Sequence, residues 1–344
     1  MTEKFRYENE PELKLGHIKG DVEIKNCKKI LPEKGDKIII DGQIAIRRDT
    51  VIEGSLQAEY LEIDGSNTSE VHGDLTIARS VDVRRGKLEV MGSAKANRFD
   101  VGAALSVGKD LQATKISIGG ALKVSGNAIV DDINVGGAVK IEGKIDAKTL
   151  SVGGAVKCTT GIIGKVDVGG SFKADGAIEI GSSDVGGTVV VGNGSKLLSI
   201  DIGGSFKAEG DVTFEELDVG GAVKFVGQAK GKSIDVGGAV KAEQSLILTE
   251  KLDVGGAVIV ATNLLVGKEI DVGGTLQAGQ IIESPRIDVG GSIKAAHIKA
   301  KQEFRIGRRG EVSGFVEGIE ITIEEKSRGG SFYGSSIRVE EDAR

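Results

Sequence analysis

Asp218–Lys241 reads DVGGAVKFVGQAKGKSIDVGGAVK, which is the heptapeptide DVGGAVK followed by the same heptapeptide 17 residues later. Working outward from this stretch, the unit hydrophobic-Gly-Gly-small-hydrophobic recurs along the chain. The first glycines of the pairs are Gly119, Gly136, Gly153, Gly169, Gly186, Gly203, Gly220, Gly237, Gly255, Gly273 and Gly290, spaced 16 to 18 residues apart. Repetition at a fixed period decides the fold before any residue-level reading does. Helical repeats need more than about 30 residues, because each must hold two helices. A period of 17 fits one turn of a three-faced parallel β-solenoid, with three short strands and three corners.

Alternation inside the repeat agrees. Between Val135 and Val152 the apolar residues Val139, Ile141, Ile145, Ala147 and Leu150 are separated by Lys140, Glu142, Lys144, Asp146 and Lys148. That is the period of two expected of strands with one face buried, interrupted at corners. The residue before each glycine pair is Val or Ile, and the residue three after the first glycine is Val, Leu, Ile or Phe. These positions should stack inward as columns. The paired glycines should either take positive φ at a corner or let stacked backbones approach closely.

Composition suits a narrow core. The 344 residues include 53 glycines, 3 prolines, no tryptophan and 3% aromatics, so buried area must come from small and β-branched side chains. A hydrophobic content of 39% argues against disorder. Net charge is -6, from 45 basic and 51 acidic residues, which gives no global attraction to nucleic acid. Cys27 and Cys158 show neither ligand spacing nor a disulfide framework, as expected of a cytoplasmic protein. The start, MTEKFRYENEPELK, holds no apolar core of a signal peptide, and no run is long enough for a transmembrane segment.

Along the chain, residues 1–14 read as a flexible charged tail and 15–339 as a single solenoid domain. Within it, 15–100 are irregular turns with insertions at Asn26–Lys37 and Ser66–Glu70. Residues 100–297 are the regular glycine-pair array, and 298–339 are terminal turns. Residues 340–344 read as a C-terminal tail. This gives roughly 17 turns from about residue 45 to 337.

Two polar columns stand out. Two residues before the glycine pair lie Asp100, Asp167, Asp184, Asp201, Asp218, Asp235, Asp253, Asp271 and Asp288, with Ser or Asn in the other turns. A calcium ladder is one reading. Exchange with Ser and Asn favours the other, a corner residue accepting backbone N–H bonds. After the glycines, Lys123, Lys140, Lys157, Lys173, Lys207, Lys224, Lys241 and Lys294 form a basic stripe. It reads first as a solvated face that keeps solenoids apart, and second as a contact for nucleic acid or an anionic membrane surface. Near the C-terminus, Lys294, His297, Lys299, Lys301, Arg305, Arg308 and Arg309 are followed or interleaved by Phe304, Phe315, Phe332 and Tyr333. Aromatics beside arginines favour a self-association interface over a nucleic-acid site, with a plain solvated face as the third reading. Catalysis has little support. His17, His72 and His297 join no nucleophile or acid–base motif, and the recurring glycine pairs precede no helix that would make a phosphate loop, so no cofactor or small-molecule substrate is expected.

The stretch VIEGSLQAEYLEIDG…EVHGDLTIA within Val51–Ala78, followed by the VGGAVKA-type array, resembles the bactofilins. These are polymer-forming cytoskeletal proteins of bacteria, with relatives in archaea. The resemblance loosely covers residues 15–337. It implies a right-handed three-faced β-helix that polymerises end to end without nucleotide, and a protein whose chief partner is itself. This chain has more turns, and more uniform ones, than that family's usual core. It also lacks the apolar N-terminal segment through which many members touch membranes. An open solenoid has two sheet edges with unpaired backbone groups, and such edges are templates for strand addition.

Overall fold

The computed structural model describes residues 3–340. Every regular element among them is a β-strand, and each ladder is parallel. The chain makes about 20 turns of about 17 residues as a parallel β-solenoid. It falls into two compact units, Met1–Lys173 and Ala174–Arg344, at a point the repeat does not mark.

Each turn lays down three short strands on three faces, here called A, B and C. In the first unit, face A holds Leu122–Val124 stacked on Val139–Ile141. Faces B and C come from one bent strand per turn, as in Leu111–Ile118 over Ala128–Val135 over Lys144–Val152. In the second unit, Phe206, Val223, Val240, Val258, Leu276 and Ile293 follow one another down face A. Strands bend where two outward residues come in succession, as at Glu215 and Glu216 within Val212–Val219. The expected Val/Ile columns are the core, and Val135, Val185, Val219 and Val289 have no exposed surface. Burying such a side chain is worth roughly 1.5–3 kcal/mol, and stacking each on its equivalent leaves no void between rungs.

The glycine pairs do not need positive φ. None of the array pairs is among the residues with φ > 0. Their role is steric. A Cβ on Gly136 would lie 2.3 Å from the carbonyl oxygen of Gly119, and one on Gly137 would lie 2.6 Å from that of Gly120. The ladder continues through the corner, with Gly136 N–H donating to Ile118 O at 2.9 Å and Gly137 N–H to Gly120 O at 2.8 Å. The chain therefore turns a corner without giving up hydrogen bonds, and the missing Cβ of each glycine leaves room for the stacked carbonyl.

The segment read as an N-terminal tail is structured. Lys4–Glu8 pairs with Asp21–Lys25, and Glu12–Leu15 pairs with Lys29–Pro32. Two turns thus precede residue 45, which explains most of the excess over the expected count. The two stretches expected as insertions each carry a strand of the ladder: Lys29–Pro32 pairs with Glu12–Leu15, and Thr68–Val71 pairs with Lys87–Val90. The extra residues lie in the corners, so that Val22 still pairs with Ile44. Of the expected C-terminal tail, residues 341–344 lie outside the described residues.

The second unit packs three phenylalanines into its prism. The Phe214 and Phe225 rings are parallel at 5.8 Å, and Phe206 meets Phe225 edge-on at 5.9 Å. Room for Phe214 comes from Gly231, where a Cβ would lie 2.1 Å from the ring. Gly231→Ala should therefore cost about 1–3 kcal/mol by overpacking, and Phe214→Leu should restore part of the loss. Urea titration of the two single variants and the double variant checks this, and simple additivity would contradict the contact.

Candidate functional site

The chemistry available lies on the outer faces and at the ends. On face A the lysine stripe is real in register, with Leu122–Lys123 over Val139–Lys140 over Val156–Lys157 and, in the second unit, Lys207 over Lys224 over Lys241. Carboxylates are interleaved with it. Lys140 meets Glu142 at 2.8 Å, Lys207 meets Glu209 at 3.0 Å and Lys224 meets Glu243 at 2.8 Å. The C-terminal basic cluster is similarly matched. Arg305 binds Glu324 at 2.9 Å, Arg308 binds Glu325 at 3.1 Å and Lys301 binds Glu283 at 2.6 Å. Both arrays are mixed-charge surfaces and lack the uncompensated charge of a strong polyanion site.

The aspartate column occupies outward positions within strands of face C. In the second unit Asp184, Asp201, Asp218, Asp235, Asp253, Asp271 and Asp288 lie in direct register. Backbone capping, expected of this column, belongs to another. Asp110 Oδ1 accepts from Asn127 N–H at 2.7 Å, Asn127 Oδ1 from Lys144 N–H at 2.8 Å, and Asp211 Oδ1 from Gln228 N–H at 2.8 Å. Those residues sit at the corner between faces A and B. The pKa of Asp218 is raised, first by partial burial and then by repulsion from Asp235 and Asp201. Among the described residues no group of three or more His, Cys, Asp or Glu side chains is arranged to hold a metal ion.

His72 is the one histidine clamped between two carboxylates, Glu53 and Glu70, each at 2.9 Å, and Lys29 closes the cluster on Glu53 at 2.9 Å. The Glu70 hydrogen bond is the main cause raising the His72 pKa above 6.5, with Glu53 adding to it. The folded state therefore binds the proton more tightly than the unfolded one. Its stabilisation is full below pH 6.5 and is lost as pH rises through the raised folded pKa. With all three side chains about a third exposed, the effect should stay within about 1 kcal/mol. Thermal melts of the wild type should fall slightly from pH 6 to pH 9, relative to a His72→Gln chain. Parallel profiles would contradict the clamp.

At the ends, the core columns come to the surface. Face C carries Ile321 over Ile337 and Ile323 over Val339. Ile321 is 1% exposed, whereas Ile337 is 45% and Val339 55% exposed. Among the described residues nothing lies over Arg328–Val339, which pairs on one side only, with Glu311–Ile323. At the other end, Lys4–Glu8 pairs among the described residues only with Asp21–Lys25, and it shows Phe5 and Tyr7, half-buried, in register with buried Val22 and Ile24.

The aromatic residues expected at an interface divide. Phe304 is fully buried, because it continues the column of Ile287. Phe332 is half-buried with its ring 6.3 Å from Phe304. Phe315 and Tyr333 are exposed, at 41% and 69%. Ile337, Val339, Phe5 and Tyr7 were not singled out from the sequence. Counting back 17 residues from Val22 and Ile24 reaches Phe5 and Tyr7, so the repeat did carry that signal.

No family model matches the chain, and no curated protein or solved structure is similar to it. No helix among the described residues is long and apolar enough to cross a membrane.

Proposed function

We propose that this chain is a structural, cytoskeleton-like scaffold protein that assembles end to end into filaments without nucleotide. The observation carrying this reading is the surfacing of the core columns at Ile337 and Val339, on a strand whose outer edge has no partner among the described residues. An edge of this kind offers a row of backbone donors and acceptors at strand spacing. Arg328–Val339 is 12 residues long. Each backbone bond that a second copy completes contributes about 1 kcal/mol net, and burial of Ile337, Val339 and Tyr333 adds to it. The first strand, Lys4–Glu8, presents a second such edge with Phe5 and Tyr7 in its inner column. A head-to-tail contact repeated without closure gives a filament.

The resemblance to bactofilins supports the same reading and, with it, a cytoplasmic scaffold. The alternative is a monomeric solenoid that presents the lysine stripe to nucleic acid or a membrane. The ion pairs to Glu142, Glu209 and Glu243 weaken it. Sedimentation of the purified chain over a wide concentration range, with and without nucleotide, tests the proposal. Pelleting above a threshold concentration, indifferent to nucleotide, is expected. A single monomeric species at every concentration would overturn it.

A further inference from the structure

We infer that two copies of this chain also pair side by side, the aspartate ladder of one against the lysine stripe of the other. The inference does not depend on the end contact.

The acidic side is a face with unusually little compensation. Asp201, Asp218 and Asp235 are exposed, stand in direct register and make no ion pair among the described residues. The residues flanking them on the same strands are Ser199, Glu216 and Ser233. The two serines are too short to fill the surface, so the ladder lines a shallow trough of about 380 Å³. Its rungs are about 4.8 Å apart. Like charges directly across a ladder are destabilising, and partial burial together with repulsion from Asp235 and Asp201 raises the pKa of Asp218.

What would neutralise such a ladder best is a row of cations with the same rise. The lysine stripe is one. Lys123, Lys140 and Lys157 are exposed and stand in register on face A; Lys140, held by Glu142 at 2.8 Å, would exchange that partner for the ladder. The outward residues before them are Ala121, Ala138 and Ala155, so each lysine rises above a bed of small side chains. Acidic and basic ladders take their rise from the same inter-strand distance, so charges that meet at one rung meet at the next. Within one unit faces A and C look in different directions, and the stripe that meets the trough is assigned to a second copy. This contact uses different patches on the two partners. It does not close, and further copies add sideways.

The test reads lateral association, in a chain carrying Ile337→Arg to suppress end contacts, by light scattering and by particle width in electron micrographs. Association is expected at about 0.01 M salt, where the Debye length is about 30 Å, and its loss at about 1 M, where it is about 3 Å. Asp201→Lys, Asp218→Lys and Asp235→Lys together should abolish it at low salt, as should Lys123→Glu, Lys140→Glu and Lys157→Glu together. A chain carrying both sets should associate again, because its two faces have exchanged signs. Circular dichroism reports whether each chain keeps its β-spectrum. Independently of any variant, carbodiimide coupling of mixed isotope-labelled and unlabelled wild type should join a peptide containing Asp218 to one containing Lys140 of the other isotope. Single particles at low salt, association that survives either reversal, or carboxylate–lysine coupling confined to one isotope would each overturn the inference.

Discussion

Gly221→Val is expected to cost about 3 kcal/mol or more, a large effect for an outward-facing substitution. A Cβ there would lie 2.3 Å from the carbonyl oxygen of Gly204, and one on Gly220 would lie 2.6 Å from that of Gly203. These obstacles are backbone atoms, so no rotamer relieves them. The turn must open, and it then loses the ladder bond from Gly221 N–H to Gly204 O, 2.9 Å long. Each glycine sits directly on the equivalent glycine of the neighbouring turn, so the damage reaches both rungs. The neighbouring Ala222 already carries an exposed Cβ, and Ala222→Ser should change stability by less than about 0.5 kcal/mol. Urea midpoints of the two variants measure the contrast. Equal midpoints would mean that the glycine pairs have some role other than close stacking.

Ile337→Arg has the second large effect, on assembly, with the fold left intact. The side chain is 45% exposed and supports little beyond Ile321, so stability should shift by less than about 1 kcal/mol. In a stacked end contact the same side chain would continue the dry column of Ile287, Phe304 and Ile321. An arginine there would bury an unpaired charge at the next rung, costing several kcal/mol per contact. Pelleting should vanish at concentrations at which the wild type sediments, with the melting curve nearly unchanged. Lys326→Glu lies on an end-turn corner and should leave pelleting much less affected. Unimpaired pelleting of Ile337→Arg would place the contact elsewhere.

Much of the fold is legible in the sequence because a solenoid repeats its physics. The period of 17 set the strand count per turn, and the Val/Ile positions flanking each glycine pair are the observed core columns. Three features were harder to read. The first strand carries Phe5 and Tyr7 among charges, and its relation to Val22 and Ile24 shows only when the period is run backward. The glycine pairs allowed two explanations, positive φ or close stacking, and the choice depends on backbone geometry that composition does not encode. Short polar residues suit both a corner cap and an outward strand position. The Asp218 column and the Asp110–Asn127 column therefore look alike in sequence, although one repels across rungs and the other binds backbone N–H groups. Phe304 was grouped with exposed aromatics because the local sequence is basic, although it lies 17 residues after buried Ile287.

The most direct test of the account is negative-stain electron microscopy of the purified full chain in nucleotide-free buffer, at concentrations above and below the pelleting threshold. Unbranched fibres above the threshold that disappear on dilution are the expected result. Isolated particles of one size at every concentration would contradict it.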